Sequence, residues 1–179
     1  MSSIQVGTVR GPFHNPVMIT HGGDQHLPSN TENYDPWLDL RRNWPRTRVV
    51  IEAMTGDLLG EVREDGHLIA LRAGTSAAQR RCTLTHELVH LERGIQDCGP
   101  WLQREELQVH LTVAHRLVPL ELLIAAIRDL GGAEDRAALA QSLDVDSETL
   151  ALRLDRVSGP ERRRLRRALA RQAPLWAVA

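Results

Sequence analysis

The sequence predicts an α+β fold: a small three-stranded antiparallel sheet packed on a helical core, with helix-turn-helix-like helices at the C-terminal end. Three observations lead there. Between Arg48 and Arg72 lie three short runs of β-branched and aliphatic residues separated by turn-forming residues. From Thr75 onward the apolar residues recur at helical spacing, interrupted at Gly94, Pro119, Gly131-Gly132 and Ser158-Gly159-Pro160. Aromatic residues are scarce, one Phe, one Tyr and four Trp, so the core has to be assembled from Leu, Val, Ile and Ala.

In chain order, residues 1–34 read as a flexible segment, because Gly, Pro, Asn, Ser and His dominate and neither a period of 2 nor one of 3.6 holds. His14, His21 and His26 lie in it and are expected to be solvated. Asp35 and Pro36 then supply the cap and first position of a short helix that Pro45 stops. The strand runs are Arg48–Met54, Leu58–Arg63 and His67–Arg72, with turns at Thr55-Gly56-Asp57 and Glu64-Asp65-Gly66. Two connections this short predict an antiparallel meander.

A long helix follows from about Ser76 to Arg93 and stops near Gly94. A second runs from about Trp101 to Val118, and a third starts at Pro119 and ends at Gly131-Gly132. Asp135–Ser142 and Asp146–Val157 are two short helices around Leu143-Asp144-Val145, a helix-turn-helix-like arrangement with Asp144 where a Gly is usual. Ser158 to Glu161 reads as a capping box before a last helix bearing Arg162, Arg163, Arg164, Arg166, Arg167 and Arg171. The expected organisation is a segment 1–34, a catalytic domain 35–130 and a helical extension 131–179.

The formal net charge is −1, so no global field draws the chain to nucleic acid or to a membrane surface. Asp146 and Glu148 open the would-be recognition helix, where they would repel phosphates. Direct nucleic-acid binding is therefore not expected, and a packing or protein-docking role for these helices is. Two cysteines, Cys82 and Cys98, are too few for a disulfide framework. With no signal-peptide core and no run long enough to span a membrane, the expected location is the cytoplasm. Cys82 reads as a small buried side chain, and Trp101 and Trp176 as core anchors.

The chemistry is carried by His86-Glu87-Leu88-Val89-His90. Helix positions four apart share a face, so His86 and His90 can offer two imidazoles to one ion. Glu87 is rotated off that face but can reach a water on the ion and act as general base for amide hydrolysis. Leu84, Leu88, Leu91 and Ile95 form an apolar stripe opposite His86, which buries one side of the helix and presents the other. A catalytic zinc site needs a third protein ligand. The next helix offers Glu105, Glu106 and His110, and spacing alone does not choose among them. Leu107, Leu111, Ala114 and Val118 are its expected apolar stripe.

Arg81-Cys82-Thr83-Leu84-Thr85-His86-Glu87-Leu88-Val89-His90-Leu91, together with Leu117-Val118-Pro119, resembles the core motifs of the ImmA/IrrE family of metallopeptidases. The resemblance spans roughly residues 45–160 and implies a zincin core with Zn2+ as cofactor. It implies Glu106, thirteen residues before Pro119, as third ligand beside His86 and His90, with Glu105 the alternative if the register slips by one. The chain departs from the family pattern at Val89, where Gly is usual, and at His110, where Asn is common. His110 is left to orient Glu106, assist the oxyanion or fill the wall.

The resemblance further implies limited proteolysis of a helix-turn-helix transcriptional repressor from a phage, mobile element or stress regulon. An edge strand beside the metal helix would capture the extended substrate, and His67–Arg72 is the candidate. Two rival readings follow from the same residues. One is a zinc peptidase of another family with His110 as third ligand. The other is a non-enzymatic regulator that binds DNA through its C-terminal helices.

Overall fold

Asp35 accepts hydrogen bonds from the backbone N–H of Trp37 and Leu38 at 2.9 and 3.2 Å, and Pro36 fills the first turn, so α1 (Pro36–Asn43) starts where its cap dictates. The computed structural model describes residues 33–94 and 102–170. His14, His21, His26, Ile95, Cys98, Trp101, Arg171 and Trp176 lie outside the described residues, as does most of the segment read as flexible.

Three strands follow, β1 (Arg48–Glu52), β2 (Gly60–Arg63) and β3 (Leu68–Arg72). β2 and β3 form the expected antiparallel hairpin, closed by a 3-10 turn at Glu64–Gly66 in which Glu64, Asp65 and Gly66 all take positive φ. The meander does not continue. β1 pairs in parallel with β3, the strand order is β1-β3-β2, and the sheet is mixed, not purely antiparallel. The reason is burial. β3 carries an unbroken apolar run, and Ile69, Ala70 and Leu71 have no exposed surface, which a central strand satisfies. β1, with Ile51 57% exposed, takes an edge. The β1–β2 connection is held down by Arg72, whose guanidinium donates to the carbonyls of Gly56 and Leu58.

Six helices complete the described chain. α2 (Ala77–Arg93) opens with a reciprocal box between Ser76 and Gln79 and ends at Gly94, at φ 76°. α3 (Leu102–Leu117) is followed by α4 (Leu120–Asp129), with Pro119 as its cap. Asp135 caps α5 (Arg136–Ser142) and Asp146 caps α6 (Ser147–Asp155). In the turn between them Asp144 takes φ 51°, the left-handed region that Asp tolerates better than most residues. α7 (Gly159–Ala170) starts at the Ser158–Glu161 box.

α2 lies between two cores. Leu84 and Leu88 pack against Ile69, Leu71 and Leu40 on the sheet side. Cys82 and Val89 join a larger cluster that runs through α3, α4, α5 and α6. On α3 the buried face is Val109, Val113, Ala114 and Leu117, continued by Val118 just past its end. Leu107, expected in the core stripe, is instead 37% exposed. Arg81 fastens the α5–α6 turn to α2, donating to the carbonyls of Leu143 and Asp144 at 3.3 and 2.7 Å and to that of Tyr34 at 2.9 Å.

Candidate metal centre

Because α2 is pinned on two faces by Leu84, Leu88 and Val89, its remaining face is held toward α3 with His86 and His90 one turn apart. Their Nε2 atoms stand 3.0 Å from each other. Across from them, on α3, one carboxylate oxygen of Glu106 lies 3.4 Å from His86 Nε2 and the other 3.3 Å from His90 Nε2. Ligands at about 2.0–2.2 Å from a tetrahedral ion sit roughly 3.3–3.6 Å apart. Each imidazole–carboxylate separation has the length of such an edge, to a different oxygen of Glu106, and the imidazole–imidazole one is slightly shorter.

Glu105 is turned the other way, and its carboxylate pairs with Arg93. His110 sits one turn along α3 from Glu106, with its ring 4.6 Å from that of His86 between centroids. His86, Glu106 and His110 each offer an atom within 4.8 Å of the others, a candidate metal site that overlaps the first. Cys82 belongs to neither set. It is buried, its Sγ accepts the Asp146 N–H at 3.4 Å, and burial pushes its thiol up to about 12.

The charge states are mixed: Glu106 and His110 are shifted toward the forms that can ligate a cation, and His90 toward the form that an ion would have to deprotonate. The His86 and His90 imidazoles hold the Glu106 carboxyl well below the usual carboxylate range. The same contact with Glu106 raises the His90 imidazole. Burial lowers that of His110. Glu87 is only 6% exposed, and burial raises its carboxyl, against the opposing influence of the two histidines. A carboxylate made more basic in this way is a better proton acceptor.

β2 approaches this group closely. A Cβ on Gly60 would stand 2.9 Å from a Glu87 carboxylate oxygen and 2.4 Å from Thr83 Cγ2, so no other residue lets the strand lie so close. Among the described residues, the strand beside α2 with an unpaired edge is therefore β2. His67–Arg72, the candidate edge, corresponds to β3, which is paired on both sides. The cleft above the histidines encloses about 550 Å³ between the loop Asp57–Leu59, α2, α3 and α6. Sequence reasoning missed Gly60 and the α6 wall of Asp146, Glu148, Thr149 and Leu152. A Gly at a strand start hints at close approach, but nothing local marks α6 as facing the site.

The profile of the IrrE N-terminal-like domain, Peptidase_M78, matches residues 46–155. The chain belongs to the ImmA/IrrE metallopeptidase family. No curated protein and no solved structure gives a significant match. The matched span takes in the sheet, both histidines, Glu106 and the whole of α6, so the helix that walls the cleft lies within this metallopeptidase domain.

Proposed function

We propose that this ImmA/IrrE domain is a zinc-dependent endopeptidase that cuts a regulatory protein, a helix-turn-helix repressor, at a limited number of bonds. The convergence of His86, His90 and Glu106 within 3.0–3.4 Å, with Glu87 buried beside them, carries the reading. Two nitrogens and one carboxylate oxygen are a donor set that suits zinc while leaving a fourth position open. An ion held by these residues would supply a Lewis acid for the scissile carbonyl and an acidified water.

The chain's own residues do the rest. Glu87 takes the water's proton, and the same carboxyl later hands it to the leaving amine. An extended substrate adds to the free edge of β2 by main-chain hydrogen bonds, which brings its carbonyl over Glu87. His110, on the open side of His86, is placed to donate to the developing oxyanion.

Co-expression with a candidate helix-turn-helix repressor tests the whole reading. The intact protein is expected to cut the repressor, and Glu87→Gln to slow cutting by about 10²–10⁴-fold while keeping its zinc. Undiminished cutting by Glu87→Gln would sink the mechanism. The His86, Glu106 and His110 group favours a second reading in which His110 is a ligand. Zinc content separates the two: His90→Ala should lose the metal and His110→Ala retain it.

A further inference from the structure

We infer that the outer edge of β1 is an interface between two copies of this chain, which pair antiparallel about Val50 and join their sheets into one. The pairing is independent of the peptidase reading. β1 lies across β3 from β2, so its outer edge is on the opposite side of the sheet from the edge offered to substrate. Its five residues run in unbroken register with β3, and no strand among the described residues pairs with its other side.

The backbone there is ready to bond. The Arg48 N–H donates to the His67 carbonyl at 2.9 Å, and the Glu52 carbonyl accepts the Ala73 N–H at 2.7 Å. Direction alternates along a strand, so Arg48, Val50 and Glu52 turn their main-chain groups to β3, and Val49 and Ile51 turn theirs outward. A proline, a bulge or a lysine commonly protects such an edge. β1 has none of these. Its centre is Val49-Val50-Ile51, and Ile51 is 57% exposed.

The strand is also complementary to itself. A two-fold axis at Val50 places Val49 opposite Ile51 of the second copy, and Ile51 opposite its Val49. These are the residues with outward groups, so each pair exchanges two main-chain hydrogen bonds. Both pairs lie on the sheet face that carries Ile69 and Leu71, where the exposed Ile51 side chain gains an aliphatic neighbour. Arg48 then falls opposite Glu52 at both ends, in non-hydrogen-bonded pairs, whose side chains stand closer. Within one copy Arg48 is engaged only by Glu64, at 3.8 Å with both side chains more than half exposed, and Arg63 takes Oε1 of Glu52 at 2.7 Å. Shifting the pairing by one residue would set outward groups against groups already bonded to β3. Backbone, apolar surface and charge therefore agree on one register, as a contact between identical surfaces requires.

Analytical ultracentrifugation of the full chain over a wide concentration range tests the pairing, and a monomer–dimer equilibrium is expected. Ile51→Pro removes an outward N–H that β3 does not use, a place where an edge strand tolerates proline. It should weaken the dimer at least tenfold. Arg48→Glu and Glu52→Arg each set like charges opposite one another at both ends, and each alone should weaken it about tenfold. Mixed in equal amounts, these two variants should dimerise again, because each end then carries one acid and one base. A chain that stays monomeric at every concentration overturns the inference, as does a dimer indifferent to these changes or a mixture that does not re-form. Hydrogen exchange reads the same edge. Protection of the Val49 and Ile51 amides should rise with protein concentration. Protection that is independent of concentration means that the chain covers the edge itself, and that result also overturns the pairing.

Discussion

On the sheet side of α2 the core is small and wholly apolar, Leu40, Ile69, Leu71, Leu84 and Leu88, with Trp37, Trp44, Val49, Val62 and Leu91 packed around it. On the other side the core is nearly three times as populous, spans α3 to α6, and ends in an ion pair between Arg153, 1% exposed, and Glu161 on α7. The two sides do different jobs. The small core brings a strand backbone against Glu87, and its value lies in placement. The large core supplies the mass that holds α3, and with it Glu106, across from the histidines. A helix gripped on both faces gives its third face little freedom, and a metal site whose ligands come from two helices requires that.

Arg153→Ala should produce the largest effect on this contrast. Its guanidinium donates to the Val118 carbonyl at 2.8 Å and to Glu161 at 2.7 Å, while Nη1 has no partner among the described residues. Removing it strands the Glu161 charge and should cost about 3–5 kcal/mol in urea unfolding. Arg153→Met should recover most of that. If Arg153→Ala is mild, the large core does not depend on its ion pair.

Gly60→Ala strikes the small core. The added methyl has to push on Thr83 and Glu87, at a cost of about 1–3 kcal/mol. If Glu87 is the base proposed above, activity should fall much further than stability, because the methyl presses on the Glu87 carboxylate as well as on Thr83. Equal losses in rate and stability would mean that the sheet side only supports the fold.

Acid should give the smallest effect. Burial would raise the Glu161 carboxyl, but the Ser158 N–H and the Arg153 guanidinium outweigh it and hold it at about 2. A lowered folded-state value means that its stabilisation is complete above the ordinary carboxylate range and is lost as pH falls toward 2. Unfolding free energy should therefore decline over that window, and less steeply in Glu161→Gln. Parallel acid limbs for the two proteins would remove Glu161 as the cause.

Much of this was legible beforehand where the signal is local. Asp35 and Ser158 cap the helices that the sequence reading gave them, and Ser76, Asp135 and Asp146, read as helix starts, turn out to be caps, since a cap bonds to a backbone only two or three residues away. The spacing of His86 and His90 is local too. The sheet order, the exposure of Leu107 and the placement of α6 in the cleft wall were not legible. Each depends on a partner far along the chain: β3 pairs with β1 about twenty residues back, and Asp146 meets Cys82 across 64 positions.

By itself, the sequence determined the helix limits, the pair of imidazoles and the acid between them, because turn-to-turn geometry is a property of neighbouring residues. Spacing left Glu105 and Glu106 open and the family resemblance pointed to Glu106; the tertiary structure turns Glu106 to those imidazoles, while Arg93 draws the Glu105 carboxylate away. It also decided which strand keeps a free edge and which helix closes the cleft. Those outcomes follow from how much apolar surface each element can bury against distant ones, a competition that no local window contains.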